Sequence, residues 1–88
     1  MTHLPRWEDL VAALGPLADQ HPGQAYTSSV LLPTYNQWAQ RNGRDLLTAK
    51  QLGEALAREV TLDRAGRKSN AAVWILTRAG LECRNWYV

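Results

Sequence analysis

The side chains able to do chemistry are concentrated in one basic stretch. Between residues 41 and 70 stand Arg41, Arg44, Lys50, Arg58, Arg64, Arg67 and Lys68, against Asp45, Glu54, Glu59 and Asp63, a local net charge of +3. Residues 1–40 hold only Arg6 against Glu8, Asp9 and Asp19, a local net charge of −2. The whole 88-residue chain is +2, so the asymmetry says more than the total. Arg64, Arg67 and Lys68 place three cations within five residues, with Asn70 close behind. Thr48, Lys50, Gln51 and Arg58 lie just upstream at helical spacing. Guanidinium and ammonium groups bind phosphate or guanine, and a glutamine amide can pair with adenine. Other chemistries have less to work with. His3 and His21 are far apart and beside turns, Cys83 is alone, and no spacing fits a zinc site. Glu54, Glu59 and Asp63 sit among cations and read as surface or ion-pair residues. No nucleophile–base pair stands out, so the expectation is no catalytic role, no metal and no cofactor.

Two helices must position the basic residues. Ser28 or Ser29 can cap the first, with its start between Ser29 and Leu32 and Pro33 in its first turn. Leu31 or Leu32, Tyr35 and Trp38 form its apolar stripe, with Ala39 beside it, and Asn42-Gly43 ends it. Arg44 to Leu47 is the turn, with Leu46 and Leu47 expected to plug into the core. Thr48 to Gln51 matches a capping box that opens the second helix. Leu52, Ala55, Leu56 and Val60 recur on one face, leaving Lys50, Gln51, Glu54, Ala57 and Arg58 on the other. Gly53 weakens this helix by about 1 kcal/mol relative to alanine and suits a close helix–helix approach.

The flanks read as support. Pro5 to about Leu14 has Trp7, Leu10, Val11 and Leu14 on one stripe, with Glu8 and Asp9 at the positive end of the helix dipole. Gly15-Pro16 is expected to kink or end this helix, although Leu17 and Ala18 keep its phase toward Gln20. His21-Pro22-Gly23 is a turn, and Gln24 to Thr27 is a short strand candidate. Val60-Thr61-Leu62 reads as a strand, Asp63 to Asn70 as a turn-rich basic loop, and Ala72 to Thr77 as the most β-prone run. Arg78-Ala79-Gly80 breaks that run. The tail LECRNWYV is expected to continue as an edge strand or fold back on the first helix. Trp86 and Tyr87 are too apolar to stay in solvent and are expected to pack or to meet a partner.

The size fits one domain spanning residues 1–88. With no Phe, the large-residue packing falls to Trp, Leu and Tyr. One cysteine excludes an internal disulfide and fits a reducing cytoplasm. No apolar run approaches the roughly 18–20 residues of a membrane span, and no signal-peptide segment opens the chain. The expected protein is therefore cytoplasmic and makes no membrane contact.

Helix, turn, helix and basic hairpin outline an α+β fold, a winged helix-turn-helix of three helices with a C-terminal β-hairpin wing. In such a fold the second helix of the pair enters the major groove. On this reading Thr48 and its neighbouring N–H groups hold a phosphate, while Lys50, Gln51 and Arg58 meet bases or phosphates. Arg44 at the turn and Arg64, Arg67, Lys68 and Asn70 on the wing contact backbone. The expected partner is DNA, double-stranded ahead of single-stranded. Ser28, Leu31, Tyr35, Trp38, Gly43, Leu52, Leu56, Arg64, Arg67, Trp74 and Leu76 also form a pattern over residues 26–77. It resembles the winged-helix domain at the C-terminal end of phage- and plasmid-type helicase-primase proteins and related poxvirus-like NTPases. The resemblance implies a DNA-binding or DNA-positioning module of a mobile element, active in replication and without catalysis of its own. Two features depart from it. No GxxxxGK[ST] run or room for an ATPase is present, which fits an excised domain or a small stand-alone protein, and the cysteine often found beside the Trp in that family is missing at Trp38. The competing function is a protein-interaction module, a phage-type adaptor, inhibitor or homodimer using the C-terminal aromatic tail.

Overall fold

A computed structural model describes residues 3–68 and 71–85, with Lys68 described by its backbone only. Asn70, Trp86 and Tyr87 lie outside the described residues, and so does the Lys68 side chain. The chain forms helix α1 (Trp7–Gln20), strand β1 (Gln24–Thr27), helices α2 (Ser28–Arg41) and α3 (Ala49–Glu59), strands β2 (Asp63–Lys68) and β3 (Ala71–Leu76), and helix α4 (Arg78–Glu82). The described residues thus make a small α+β domain of four helices and a three-stranded antiparallel sheet in the order β1-β3-β2.

α1 begins one residue after Arg6, carries Glu8 and Asp9 in its first turn, and passes through Gly15-Pro16 to Gln20. Proline forfeits one helical N–H bond, but burial of Leu10, Leu14 and Ala18 along one stripe carries the helix across that gap. Gly15 leaves room for the Arg78 side chain. A Cβ there would lie 2.6 Å from Nη2 of Arg78, so the bare backbone lets the guanidinium lie against α1.

α2 starts directly from β1. Thr27, still extended, is its N-cap and makes no side-chain capping bond. The expected cap at Ser28 or Ser29 is therefore displaced by one or two residues. The Ser28 hydroxyl is engaged elsewhere, accepting a hydrogen bond from Trp74 Nε1 at 3.4 Å. Pro33 is the sixth helical residue rather than a first-turn residue. The carbonyl it leaves without a donor is that of Ser29, on an exposed residue. The helix closes as expected, with Gly43 at φ 67° and Arg44 N–H donating to the Ala39 carbonyl at 2.8 Å.

Leu47 is buried, as anticipated, but Leu46 is 57% exposed. The two are adjacent in a segment without regular secondary structure, and only Leu47 enters the core. Leu47 is clamped by Asn36 of α2. Its N–H donates to Asn36 Oδ1 at 2.9 Å, and its carbonyl accepts from Asn36 Nδ2 at 3.1 Å.

The hairpin is longer than its sequence suggested. Val60 makes only an isolated bridge to Arg84, Leu62 turns into the core, and Asp63–Lys68, expected as loop, forms β2. β2 pairs Asp63 with Ile75, Arg64 with Trp74, Arg67 with Ala72 and Lys68 with Ala71. The register shifts between Arg64 and Arg67, where Gly66 takes φ 100° and lets the extra residue bulge out. β1 pairs with the other edge of β3, with Tyr26 opposite Trp74.

After β3 the chain turns into α4, capped by Thr77 Oγ1, which accepts from Gly80 N–H at 3.0 Å. This fourth helix was not expected. It folds back on α1, one of the two courses open to the tail, and buries Leu81. Arg78 fastens it by a two-pronged contact with Asp19, both distances being 2.7 Å, and by a weaker contact with Glu82. The Arg78 hydrogen bonds, aided by its charge and opposed by partial desolvation, hold the Asp19 carboxyl below its ordinary 3.8. A lowered carboxylate pKa contributes stability above the unfolded value, and that contribution is lost as pH falls through the folded one. The melting temperature of Asp19→Asn should therefore lie below wild type at neutral pH and converge with it in acid. Parallel melts from pH 7 to about pH 2 measure this. A constant gap down to the lowest pH would show that the carboxylate's ionisation is not what α4 depends on.

Candidate nucleic-acid interface

The core side of α3 is Leu52, Ala55 and Leu56, all with 0% exposure, so the helix cannot rotate to present a different face. Lys50, Glu54, Ala57 and Arg58 are exposed, and Gln51 is intermediate. The capping box forms in full. Thr48 Oγ1 accepts from Gln51 N–H at 3.2 Å, and Gln51 Oε1 accepts from Thr48 N–H at 2.9 Å. Bidentate pairing with adenine uses both ends of an amide. Gln51 has its oxygen committed to the cap, leaving its NH₂ to donate while the cap is closed.

The exposed face is divided. Lys50, Glu54 and Ala57 border the hairpin, whereas Arg58 borders a hollow with Leu4, Pro5 and Arg6 on the opposite flank. The two cations lie about 12 Å apart along the helix axis at 1.5 Å per residue. Neither forms an ion pair among the described residues.

The remaining expected contacts differ in how far they are already engaged. Arg44 stands 3.5 Å from Asp9 of α1, donates to the Asn42 carbonyl at 3.2 Å, and lies 5.8 Å from the Trp38 ring centroid. These contacts tie the turn to α1. Arg64 rests over Trp74, its Cζ 4.8 Å from the ring centroid. A cation so placed gains from the ring quadrupole and covers its apolar face. Arg67 is exposed, one bulge further along β2. Arg64 and Arg67 are therefore strand residues on the outer edge of the sheet rather than members of a loop. Lys68 has its backbone in β2, while its side chain and Asn70 fall outside the described residues.

Between α3 and the hairpin lies a groove of about 370 Å³ that the sequence reading did not anticipate. Its walls include Ala49, Gly53 and Ala57 of α3, and Ala72 and Trp74 of β3. Lys50, Glu54 and Arg64 stand at its polar margins. The signal for it was present. Ala49, Gly53 and Ala57 recur every four residues and so form a strip of small side chains on one helix face. Gly53 serves the close approach anticipated for it, since an added Cβ would lie 2.9 Å from Ser28 Oγ of α2.

Among the described residues no group of three or more His, Cys, Asp and Glu is placed to hold a metal ion. Burial, with Asp9 nearby, pushes the Tyr35 hydroxyl up to about 12, so it remains protonated at neutral pH. No helix of the described residues is long and apolar enough to cross a membrane. The chain matches no protein-family model, no curated protein and no solved structure.

Proposed function

We propose that this domain is a winged helix-turn-helix that binds double-stranded DNA, with α2 and α3 as the helix pair and β2–β3 as the wing. The observation that carries the reading is Lys50 of α3, exposed beside a groove that Arg64 of β2 also lines, with Arg67 further along that strand edge and Arg58 exposed on the helix's other flank. α3 lies across the major groove, where a helix fits the roughly 12 Å opening, and the wing neutralises flanking phosphates. Glu54 faces the hairpin side, so the phosphate contacts fall to the two ends of the helix rather than its middle. The resemblance to the C-terminal domains of phage- and plasmid-type helicase-primases supports a role in mobile-element DNA replication, as a positioning part without catalysis.

Anisotropy of a labelled duplex across a salt series tests this. With Lys50, Arg58, Arg67 and Lys68 on phosphates, log K should fall against log salt with a slope of about −3.6. Arg67→Ala/Lys68→Ala should flatten that slope by about 1.8 on every sequence. Absence of binding to duplex and single strand alike at low salt would refute the reading.

The groove beside α3 favours a second reading, an adaptor that seats an apolar side chain of a protein partner between Ala57 and Trp74. Ala57→Arg separates the two. It adds a cation to the α3 face and strengthens DNA binding on the first reading, whereas on the second it fills the groove and blocks the partner.

A further inference from the structure

The two edges of the sheet are unlike. β2 carries Arg64 and Arg67 with a register shift between them, charges and a bulge that discourage further strand pairing. β1 is the opposite edge and reads Gln24, Ala25, Tyr26, Thr27. Between Asp19 and Arg41 the chain has no Asp, Glu, Lys or Arg, so neither β1 nor the start of α2 bears a fixed charge. A groove of about 450 Å³ runs over the sheet where this edge strand meets β3, lined by Ala25 and Thr27 of β1, Ala71 and Val73 of β3, and Val30 at the start of α2. Val30 stands at its margin, 59% exposed.

We propose that β1 is a pairing edge through which the chain binds a second copy of itself about a two-fold axis, continuing the antiparallel sheet across both protomers. An antiparallel strand edge turned about a two-fold axis meets its own hydrogen-bonding pattern. Self-pairing places no like charges opposite one another, a cost that charged edges incur. An isologous interface also needs projection and recess on the same patch. Here Val30 and the groove adjoin, so each protomer's Val30 enters the other's recess. A charged partner would find nothing on this edge to pair with. The strand is four residues long, so the contact is small, below about 1,200 Å² in total, and weak, with a Kd on the order of 100 μM.

Sedimentation velocity between about 10 μM and about 1 mM brackets that affinity. Reductant must be present, because Cys83 is free and exposed and would otherwise form a disulfide dimer. The weight-average mass of the wild type should rise from 9.9 kDa toward twice that value. Val30→Glu and Ala25→Lys, at exposed positions, should each weaken association at least about ten-fold. Leu46→Glu, at the other large hydrophobic residue exposed among the described residues, should leave association unchanged. Backbone amide shifts of residues 24–30 in the wild type should move with concentration, a readout that needs no variant. A monomer throughout the range would overturn the proposal. So would a dimer that both β1-edge variants leave intact, or one whose amide shifts move elsewhere.

Discussion

Trp74→Ala is expected to cost about 3–5 kcal/mol. Trp74 is 3% exposed on the central strand, opposite Tyr26 on one side and Arg64 on the other. Its Nε1 donates to Ser28 at the start of α2, and its ring carries the Arg64 guanidinium. Truncation opens a cavity between sheet and helices and removes the surface on which Arg64 rests. Domains of this kind have only about 5–15 kcal/mol of total stability, so a large share goes at once. Urea unfolding of wild type, Trp74→Ala and Trp74→Phe resolves the parts. Phenylalanine keeps most of the packing and loses the Ser28 bond, so it should cost about 1 kcal/mol beyond the change in ring size. A Trp74→Ala loss below about 1 kcal/mol would mean the hairpin is held to the helices by something else. The functional consequence follows from position. With the hairpin loosened, the groove beside α3 loses a wall and the arginines of β2 lose their fixed spacing from Lys50, so ligand affinity should fall together with stability.

Asn36→Ala should cost about 2 kcal/mol, because one side chain satisfies both backbone groups of Leu47. Leu47 is 5% exposed and anchors the segment that leads from α2 into the Thr48 cap. Alanine leaves a donor and an acceptor without partners in a partly buried place, which is dearer than losing the bonds alone. Asn36→Asp tests the geometry more sharply. Its carboxylate can accept from the Leu47 N–H but repels the Leu47 carbonyl, whereas the neutral acid can donate to it. Folding therefore favours the protonated form and raises the carboxyl's pKa. A raised carboxyl pKa means that stability falls as pH rises through the unfolded value toward the folded one, and is recovered in acid. Chemical unfolding at pH 4 and pH 7 should show Asn36→Asp closer to wild type at the lower pH, where about half of ordinary carboxyls are protonated. Equal destabilisation at both would argue that Asn36 acts through its size, not its two hydrogen bonds.

Much of the helix pair is legible in the order of residues alone. The capping box needs only Thr48 and Gln51, three residues apart, and local geometry is enough to form it. The stripe of Leu52, Ala55, Leu56 and Val60 declares its buried face by spacing, and all four are buried. Gly43 likewise announces the end of α2 through the backbone angle only glycine takes readily. The elements misread were those decided by distant partners. Asp63–Lys68 looks like loop because Asp, Gly and charged residues disfavour strands. It becomes a strand because β3 offers it an edge and Gly66 absorbs the misfit. Ser28 looks like a cap until Trp74, forty-six residues away, donates to its hydroxyl. Arg78-Ala79-Gly80 looks like a break, yet Thr77 caps a short helix that Asp19 holds in place.

The candidate site divides along the same line. Which residues of α3 face outward follows from the sequence by itself, because a 3.6-residue period ties each side chain to its neighbours on the same helix. What those outward residues are free to do is set by the tertiary structure. Packing assigns the Gln51 oxygen to a cap, Arg44 to Asp9 and Arg64 to Trp74, and it leaves Lys50 and Arg58 without ion-pair partners among the described residues. Charge and periodicity are properties of the chain in order, whereas engagement depends on which atoms folding brings within a few ångströms.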